Sequence, residues 1–444
     1  MEDNNIDTVH NKLHTITEDE IIPGVSLTCI TTDKFKTGCL TVNFICELKR
    51  DTAAALALLP RVLRRGSVGL PDMQAISAAL DDLYGARIEP LVRKTGEIHT
   101  VGLFADFPDD RYLPEGQNIL EETAALLGEM LLSPNMQDNC FLASYVDSEK
   151  ANLIDDIRAA INDKRSYAIG RLLEEMCADE AYGVSKLGRE SEAQAITKES
   201  LTELYRKILS EAMIKVYYCG SASPERVMKA LRSALSKLTE RPNTKVPTTE
   251  IRLHPTGEPN RRLSESLDIS QGKLTVGFRL GRAMDKPNYP ALIVFNSIFG
   301  GSITSKLFLN VREKLSLCYY ASSMLDKHKG VMLVSSGVEF DKFEIALDEI
   351  MHQLQEVKDG NITEWELISA KRYIVTAIMS AMDRVGGLED LYFDSKISAL
   401  PYDPIEICSK IDDVTSQQVV EVASEIEAEL IFCLVGETAK EQCL

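Results

Sequence analysis

Two copies of one strand pattern decide how the chain folds: LTVNF at residues 40–44 and LTVGF at residues 274–278. In both copies apolar side chains alternate with polar or small ones, which predicts a β-strand with one buried face. The two copies lie 234 residues apart. A repeating unit of that length is too long for a solenoid protein, so the repeat indicates two similar domains. Other landmarks recur in the same order, Gly66 with Gly300 and Gly96 with Gly330 at the same spacing of 234 residues, and Gly220 with Gly436 at 216.

Each copy has the same predicted order of elements: a strand, two helices, a pair of strands, a block of helices and a last strand. The paired strands are predicted at 86–93 with 98–104, and at 317–324 with 331–338. Strands placed before and after a block of helices favour an antiparallel or mixed sheet with helices packed on one face. We therefore expect an α+β protein made of two homologous α/β sandwich domains.

The segment between the two copies is rich in proline and charge. Residues 240–262 include prolines at 242, 247, 255 and 259, which is typical of a partly extended linker. The sequence therefore predicts an N-terminal domain at 1–239, a linker at 240–262 and a C-terminal domain at 263–444.

Composition narrows the choice of partners. The chain has 444 residues, a formal net charge of −19 and a pI near 4.9. A field of that sign repels phosphate backbones and anionic lipid, so neither nucleic acid nor a membrane surface is an expected partner. The ten cysteines are scattered without a CxxC pair, and the N-terminus does not read as a signal or transit peptide. We expect a cytoplasmic protein.

The stretch FGGSITSKLFLNVREKLSLCYYASS, residues 299–323, carries the most specific family signature. Together with the duplicated element order, it resembles the insulinase/pitrilysin/mitochondrial processing peptidase family. The resemblance covers about residues 24–436 and is closest to small bacterial subunits that lack the zinc motif. It implies that this chain forms one half of a clam-shell metallopeptidase.

Active members of that family are inverzincins with H-x-x-E-H on the first helix of the first domain. The matching segment here is Ala57-Leu58-Leu59-Pro60-Arg61, placed by the following Arg65-Gly66-Ser67. Ala57 and Arg61 stand where the histidines would be, and Pro60 stands where the general base would be. Alanine has no donor atom, arginine stays cationic and proline cannot take a proton, so no metal is expected on this chain.

Other residues offer weaker metal or binding sites. His10 and His14 have the spacing of metal ligands, which leaves a metal site open. Because no glutamate lies between them, we favour a solvated surface. Glu149, Asp155 and Asp156 lie where the family supplies its third ligand, and without histidines they read as an acidic solvated face. Another cluster is basic and reads either as solvated surface or as a docking site for an acidic partner or peptide: Arg61, Arg64 and Arg65.

The second copy keeps the residues with which the family grips substrate. Matched by position, these are Arg312 and Tyr319, which the resemblance implies donate to peptide carbonyls and to the developing oxyanion. The alternative is that Arg312 pairs with nearby carboxylates and Tyr319 packs in a strand. Ser316 replaces the usual glycine of the turn between them. Gly300 and Gly301 are a candidate substrate loop, although a helix-ending turn fits them better.

The resemblance favours a non-catalytic, substrate-binding subunit of a heteromeric zinc metallopeptidase of the processing-peptidase type. Its partners would be peptide substrate and a zinc-bearing paralogue in a heterodimer, or a second copy of this chain. Zinc would sit on the partner, so this chain would not be an enzyme by itself. The alternatives are a structural or interaction subunit with no peptidase role and, least favoured, a stand-alone metalloendopeptidase.

Overall fold

The structure is a computed structural model and describes residues 14–241, 245–258, 260–398, 400 and 402–436. Its contacts divide the chain into two units, each built on one sheet. The first unit contains the residues up to Arg158, Val184–Thr248 and Ala381–Ile397, and the second contains Ala159–Gly183, Thr249–Ser380 and the residues from Ser398 onward. One break between the units, at Thr248–Thr249, lies within the segment predicted as the linker.

The first unit has a mixed sheet of six strands in the order β1-β2-β8-β3-β5-β4. The pair β2–β8 is parallel and the other neighbours are antiparallel. A separate two-stranded ribbon holds β6 and β7. The strands are β1 (Thr15–Ile22), β2 (Val25–Thr31), β3 (Thr37–Glu47), β4 (Arg87–Thr95), β5 (Ile98–Pro108), β6 (Met136–Gln137), β7 (Cys140–Phe141) and β8 (Met213–Gly220).

The second unit repeats this topology with five strands in the order β11-β12-β10-β13-β9, in which only β13–β9 is parallel. Taking β9 for β2 and β10 for β3, the second sheet has the strand order of the first without β1. The hairpin glycines also correspond: Gly96 has φ +58° and Gly330 has φ +70°, values that favour glycine. The strands are β9 (Arg261–Leu267), β10 (Gly272–Arg279), β11 (Cys318–Asp326), β12 (Val331–Val338) and β13 (Glu427–Gly436).

Helices fill the segments between strands, and side-chain caps mark several of their starts. Thr415 and Gln418 form the capping box that their spacing predicts. The helices are α1 (Arg50–Leu63), α2 (Met73–Asp82), α3 (Ile119–Leu132), α4 (Ala143–Ala159), α5 (Lys164–Met176), α6 (Glu190–Gln194), α7 (Lys198–Glu211), α8 (Pro224–Ala234), α9 (Tyr289–Asn296), α10 (Phe343–Lys358), α11 (Glu364–Ala381), α12 (Val385–Ile397), α13 (Pro404–Asp412) and α14 (Ser416–Ser424).

Each sheet buries both of its faces. The last strand shows this, because its buried residues divide by parity between two apolar clusters. Leu430, Phe432 and Leu434 pack with Leu172 of α5, whereas Ile431, Cys433 and Val435 pack with the helices of their own repeat. The predicted α+β class with two sheet-containing domains is confirmed, and the expectation of helices on one face is incomplete, since one helix covers the other face.

The helix on that second face comes from the other repeat. Helix α5, from the first half of the sequence, lies in the second unit, and α12, from the second half, lies in the first unit. In the first unit Thr41 Oγ1 of β3 donates to Glu389 Oε1 of α12 at 2.9 Å. The predicted domain boundaries follow the repeats along the chain, and the compact units depart from them at these two helices.

Among the described residues, no helix is both long enough and apolar enough to span a lipid bilayer.

Candidate functional site

The helix predicted to correspond to the zinc motif is α1. Its alanine-rich sequence favours helix, and Ala57 is fully buried in the apolar core. Pro60 is also buried and lies inside the helix, where it removes one backbone donor. Arg61 keeps 21% of its side chain exposed. Two of the three motif positions therefore serve packing, and only Arg61 reaches a polar environment.

Helix α4 supplies the partners of the arginines. Arg61 Nη1 lies 2.7 Å from Asp156 Oδ2, and Arg65 Nη1 lies 3.2 Å from Glu149 Oε1. Two of the three carboxylates predicted to form a solvated acidic face, Glu149 and Asp156, are therefore paired with guanidinium groups, and Asp155 and Asp156 are exposed. These residues do not fit a zinc ion, because a methyl group and a permanent cation occupy the ligand positions.

Arg64, the third residue of the basic cluster, is hydrogen-bonded to a neighbouring strand. Its Nε donates to the backbone carbonyl of Ile88 in β4 at 2.5 Å, and its Nη2 donates to Glu89 at 3.3 Å. The three arginines open onto a cavity of about 380 Å³. The cavity is lined by Arg61, Arg64, Arg65, Met73, Glu89, Pro90, Glu149 and Asn152.

No other metal site replaces the lost motif in the part of the chain that the structure describes. There, no group of three or more His, Cys, Asp or Glu side chains is placed to hold a metal ion. Of the histidine pair that the sequence suggested, His10 lies outside the described residues. The ring Nε2 of His14 lies 2.7 Å from the hydroxyl of Tyr392.

In the second unit, the candidate substrate residues lie around two π-helical turns, Ser297–Gly301 and Leu307–Lys314. A Cβ on Gly300 would lie 2.7 Å from the backbone nitrogen of Ser323, and one on Gly301 would lie 2.6 Å from the amide nitrogen of Asn296. Both glycines are thus needed for close packing where the helix ends. Their role as a substrate loop stays a prediction.

Arg312 lies near the end of the second π-helical turn with 40% of its side chain exposed. Its guanidinium stacks over the ring of Phe308, with 4.7 Å from Cζ to the ring centroid. Among the described ion pairs, Arg312 Nε lies 3.6 Å from Glu313 Oε1. That pair is loose and exposed, so it holds the guanidinium weakly and leaves it accessible.

A β-bulge turns Tyr319 outward. Strand β11 loses register with β12 between Cys318 and Ala321, so that Tyr319 and Tyr320 share the place opposite Gly337. Tyr319 is 65% exposed, whereas the ring of Tyr320 lies where a Cβ on Gly337 would be, 2.7 Å away. The bulge therefore presents the Tyr319 hydroxyl to solvent at an edge strand.

Arg165 contacts the strand that carries Tyr319, and sequence reasoning missed it. It stands at the start of α5, and its guanidinium covers the ring of Tyr320 at 4.4 Å while Nη2 donates to Ser322 Oγ at 2.7 Å. Nothing in the sequence connects residue 165 with residue 320. The glycine at 337 inside a strand pattern was the only available signal, since such glycines often mark a bulge.

The turn between Arg312 and Tyr319 keeps the shape that a glycine would give it. Ser316 has φ +50°, a left-handed conformation that glycine adopts freely. Its amide donates to the carbonyl of Arg312 at 3.1 Å, and the amide of Leu317 donates to Val311 at 3.0 Å. The missing glycine therefore costs strain and does not abolish the turn. One guanidinium and one phenol stay exposed on a single short segment.

Chemically, the first unit offers a methyl group and a guanidinium group where metal ligands are expected, and the second offers two exposed hydrogen-bond donors at or near an edge strand. A duplicated α+β fold with this arrangement defines a metallopeptidase-like protein without the zinc motif.

Comparisons with known proteins agree with this class. The family model described as "Peptidase M16 inactive domain" matches residues 195–374. The chain is 31% identical over 413 residues to the "Probable inactive metalloprotease YmfF" of Bacillus subtilis, covering 93% of this chain and 96% of that protein. The chain therefore belongs to the M16 peptidase family, and the resemblance seen in the sequence is confirmed.

Solved structures show the same fold. The crystal structure of a conserved protein from Enterococcus faecalis V583 has a TM-score of 0.86 at 29% identity, with 95% of this chain and 99% of that chain covered. An M16 inactive-domain structure from Pseudomonas fluorescens has a TM-score of 0.76 at 17% identity, covering 96% and 99%. The latter likeness shows the fold alone.

Proposed function

We propose that this chain is the non-catalytic, peptide-binding subunit of a heteromeric zinc metallopeptidase. The observation that carries the proposal is a contrast between the two units. The zinc-motif positions hold Ala57, Pro60 and Arg61, whereas the substrate-gripping positions hold Arg312 and Tyr319, both exposed. Zinc and the general base would come from a partner that carries H-x-x-E-H.

The first unit supports the non-catalytic half of this proposal. Water activation by zinc needs neutral imidazole or carboxylate ligands and an adjacent base. Here Arg61 is paired with Asp156, so the helix that would carry the ligands presents a compensated cation. A single nearby histidine or carboxylate would not restore the three roles that are missing together.

The second unit supports the peptide-binding half. Arg312 and Tyr319 are hydrogen-bond donors with long reach, and peptide carbonyls are acceptors. Strand β11 is the edge of its sheet, and edge strands are common sites for binding an extended peptide. Tyr319 lies in the bulge with most of its side chain exposed, so packing within the unit leaves it accessible to a ligand.

A structural or interaction subunit without any peptidase role is the alternative. One observation favours it: Arg312 already stacks on Phe308 and lies near Glu313, so it has local partners without a ligand. The two candidates predict different cleavage rates for a complex from which the Arg312 and Tyr319 donors have been removed.

The test is co-expression with a zinc-bearing family paralogue, followed by cleavage assays on a mixture of unstructured peptides. Arg312→Ala and Tyr319→Phe should each lower the kcat/KM of the complex, by about 100-fold for the loss of an oxyanion donor. Arg372→Ala and Tyr373→Phe are matched controls, since both residues are exposed on α11, and they should leave cleavage unchanged.

Complex formation with unchanged cleavage by the Arg312 and Tyr319 variants would support the structural alternative. Metal analysis of the isolated chain completes the test. Tightly held zinc at one ion per chain, together with chelator-sensitive proteolysis by the chain alone, would contradict the proposal.

A further inference from the structure

The cavity beside Arg61, Arg64 and Arg65 is not explained by the fold. The repeat spacing of 234 residues places Phe295 and Phe299 at the positions equivalent to Arg61 and Arg65. These phenylalanines are buried and stacked, with ring centroids 5.7 Å apart and planes 13° apart. The second unit thus closes this position with an apolar pair, whereas the first unit keeps charged side chains and open space.

The three guanidinium groups are only partly exposed, so they carry part of the desolvation cost of a buried ion pair, and the exposed carboxylates of Asp156 and Glu89 offset it only weakly. The first unit bears that cost without gaining the packed aromatic contact of the second. A cavity of about 380 Å³ with charged walls is also in the size range of small ligand sites. The arrangement therefore indicates that something polar enters the cavity.

The arginines are held in place on one side and open on the other. Among the described contacts, Arg61 and Arg65 each use Nη1 for a carboxylate, which leaves Nη2 of each for a ligand. Each nitrogen of the Arg64 guanidinium already has one partner, namely Ile88, Glu89 or the sulfur of Met73. Arg61 in the last turn of α1 and Arg65 just beyond its end are each restrained by an ion pair, so they lose less freedom when a ligand binds.

Guanidinium groups outnumber carboxylates along the cavity wall, although the whole chain is acidic. Three guanidinium groups line the cavity against two carboxylates, those of Glu89 and Glu149. Asp156 pairs with Arg61 from outside the lining, so the cluster is close to neutral when empty. Guanidinium groups bind planar carboxylates through short, charge-assisted hydrogen bonds, which makes a carboxylate the fitting ligand.

We propose that this cavity binds a carboxylate group of the peptide ligand, with Arg61 and Arg65 as the donors. The proposal rests on the proposed function, because it gives the peptide-binding subunit a preference for acidic ligands. The carboxylate is either the C-terminus of the peptide or an aspartate or glutamate side chain, and the test separates these two sources.

The experiment uses three N-acetylated probes on the full chain: trialanine with a free C-terminus, trialanine amide, and Ala-Glu-Ala amide. Binding is measured by calorimetry. At least one of the two acidic probes should bind about tenfold more tightly than trialanine amide, the factor expected for one charge-assisted hydrogen bond. The tighter of the two identifies the source of the carboxylate.

Arg61→Gln combined with Arg65→Gln should remove the preference for the acidic probes. The control is Arg87→Gln with Arg158→Gln, two exposed arginines of the same unit that pair with Asp106 and Glu190, and it should keep the preference. Because the first pair of changes can weaken folding, a competition on the unaltered chain is run in parallel. Acetate should displace the acidic probe, and inorganic phosphate should do so no better than acetate.

Equal binding of the acidic and amide probes, an unchanged preference in the Arg61/Arg65 variant, or displacement by phosphate at much lower concentration than acetate would each overturn the carboxylate site. Binding of all three probes alike, lost in Arg312→Ala, would overturn this inference and leave the proposed function standing. Binding of none of the probes, and of no longer peptide, would contradict both.

Discussion

The guanidinium of Arg61 on α1 lies 2.7 Å from the carboxylate of Asp156 on α4. The two helices are those on which active relatives are expected to hold zinc, and here a fixed cation faces the carboxylate. An arginine neutralises its partner at every usable pH and cannot exchange for a metal ion. Arginine at this position therefore does more than remove a ligand atom. It also forms an ion pair that links α1 to α4.

Rebuilding the motif should restore metal binding. Ala57→His, Pro60→Glu and Arg61→His together place two imidazoles at i and i+4, and the removal of Arg61 frees Asp156 as a carboxylate ligand. We expect about one zinc per chain by metal analysis after dialysis, and a rise in Tm on adding zinc.

The matched control moves one histidine out of register by using Ala53→His in place of Ala57→His, since Ala53 is another buried alanine of the same helix. That variant should bind no stoichiometric zinc. A correctly folded triple variant that also stays free of zinc would show that residues 57–61 are not the counterpart of the motif.

Ser316 carries backbone strain that a glycine would relieve. Its φ of +50° is unfavourable for a side chain with a Cβ. Ser316→Gly should raise the free energy of unfolding by about 0.5 to 1 kcal/mol, since the strain relieved exceeds the extra entropy of the unfolded glycine. Chemical denaturation measures the change.

The control for this variant is Ser148→Gly, inside helix α4, where glycine should lower the free energy of unfolding by about 0.5 kcal/mol. A Ser316→Gly chain no more stable than the original would mean that the turn holds serine without cost.

The duplicated strand order was predictable because period-two alternation and positive-φ glycines are local properties of the sequence. Strands β3 and β10 and the hairpin glycines Gly96 and Gly330 follow directly from such patterns. The turn at Ser316 was harder, since a serine gives no signal of a left-handed conformation. The bulge at Tyr319 depends on pairing with β12 around Gly337, and Arg165, which covers the ring of Tyr320, lies far away in the sequence.

The exchange of α5 and α12 between the units was not predicted from the sequence. An amphipathic pattern shows that a helix has an apolar face, but it does not show which sheet covers that face. Glutamate side chains are mostly exposed in proteins, yet Glu389 is fully buried and accepts from Thr41. The ion pairs of the cavity arginines were likewise not predicted, and the arginines were expected at a solvated surface or docking site. Their partners on α4 lie about 90 residues away, so no local pattern connects them.

The anchor of α12 in the first unit should be sensitive to loss of one partner. Glu389 accepts from Arg93 Nη2 at 3.0 Å, and burial raises the pKa of Glu389 while the ion pair with Arg93 opposes that shift. Arg93→Ala leaves a buried carboxylate without its cation and should cost about 3 to 5 kcal/mol of unfolding free energy.

Removing both partners, as Arg93→Leu with Glu389→Leu, should cost much less than Arg93→Ala, because no buried charge is left unpaired. Arg87→Ala is the control on the same strand, where the ion pair with Asp106 is largely exposed, and it should have little effect. Equal losses from the single and the double change would show that packing, not charge pairing, anchors α12.

The free energy of unfolding should decrease as the pH is lowered, because His99 in β5 is buried in its neutral form. Burial first, and then the nearby Lys186 and Lys94, lower the pKa of His99 to about 4. Because an unfolded histidine titrates near 6.5, the unfolded chain takes up a proton at a pH where the folded chain does not. The stability is therefore complete above about pH 6.5 and declines by up to about 1.4 kcal/mol per pH unit as the pH falls toward the folded pKa. Urea denaturation at pH 7.5, 6 and 5 measures this slope. The change His99→Leu should flatten it. The control is His352→Leu, at an exposed position of α10, which should leave the slope unchanged. An equal slope in the His99→Leu chain would assign the loss of stability to other groups.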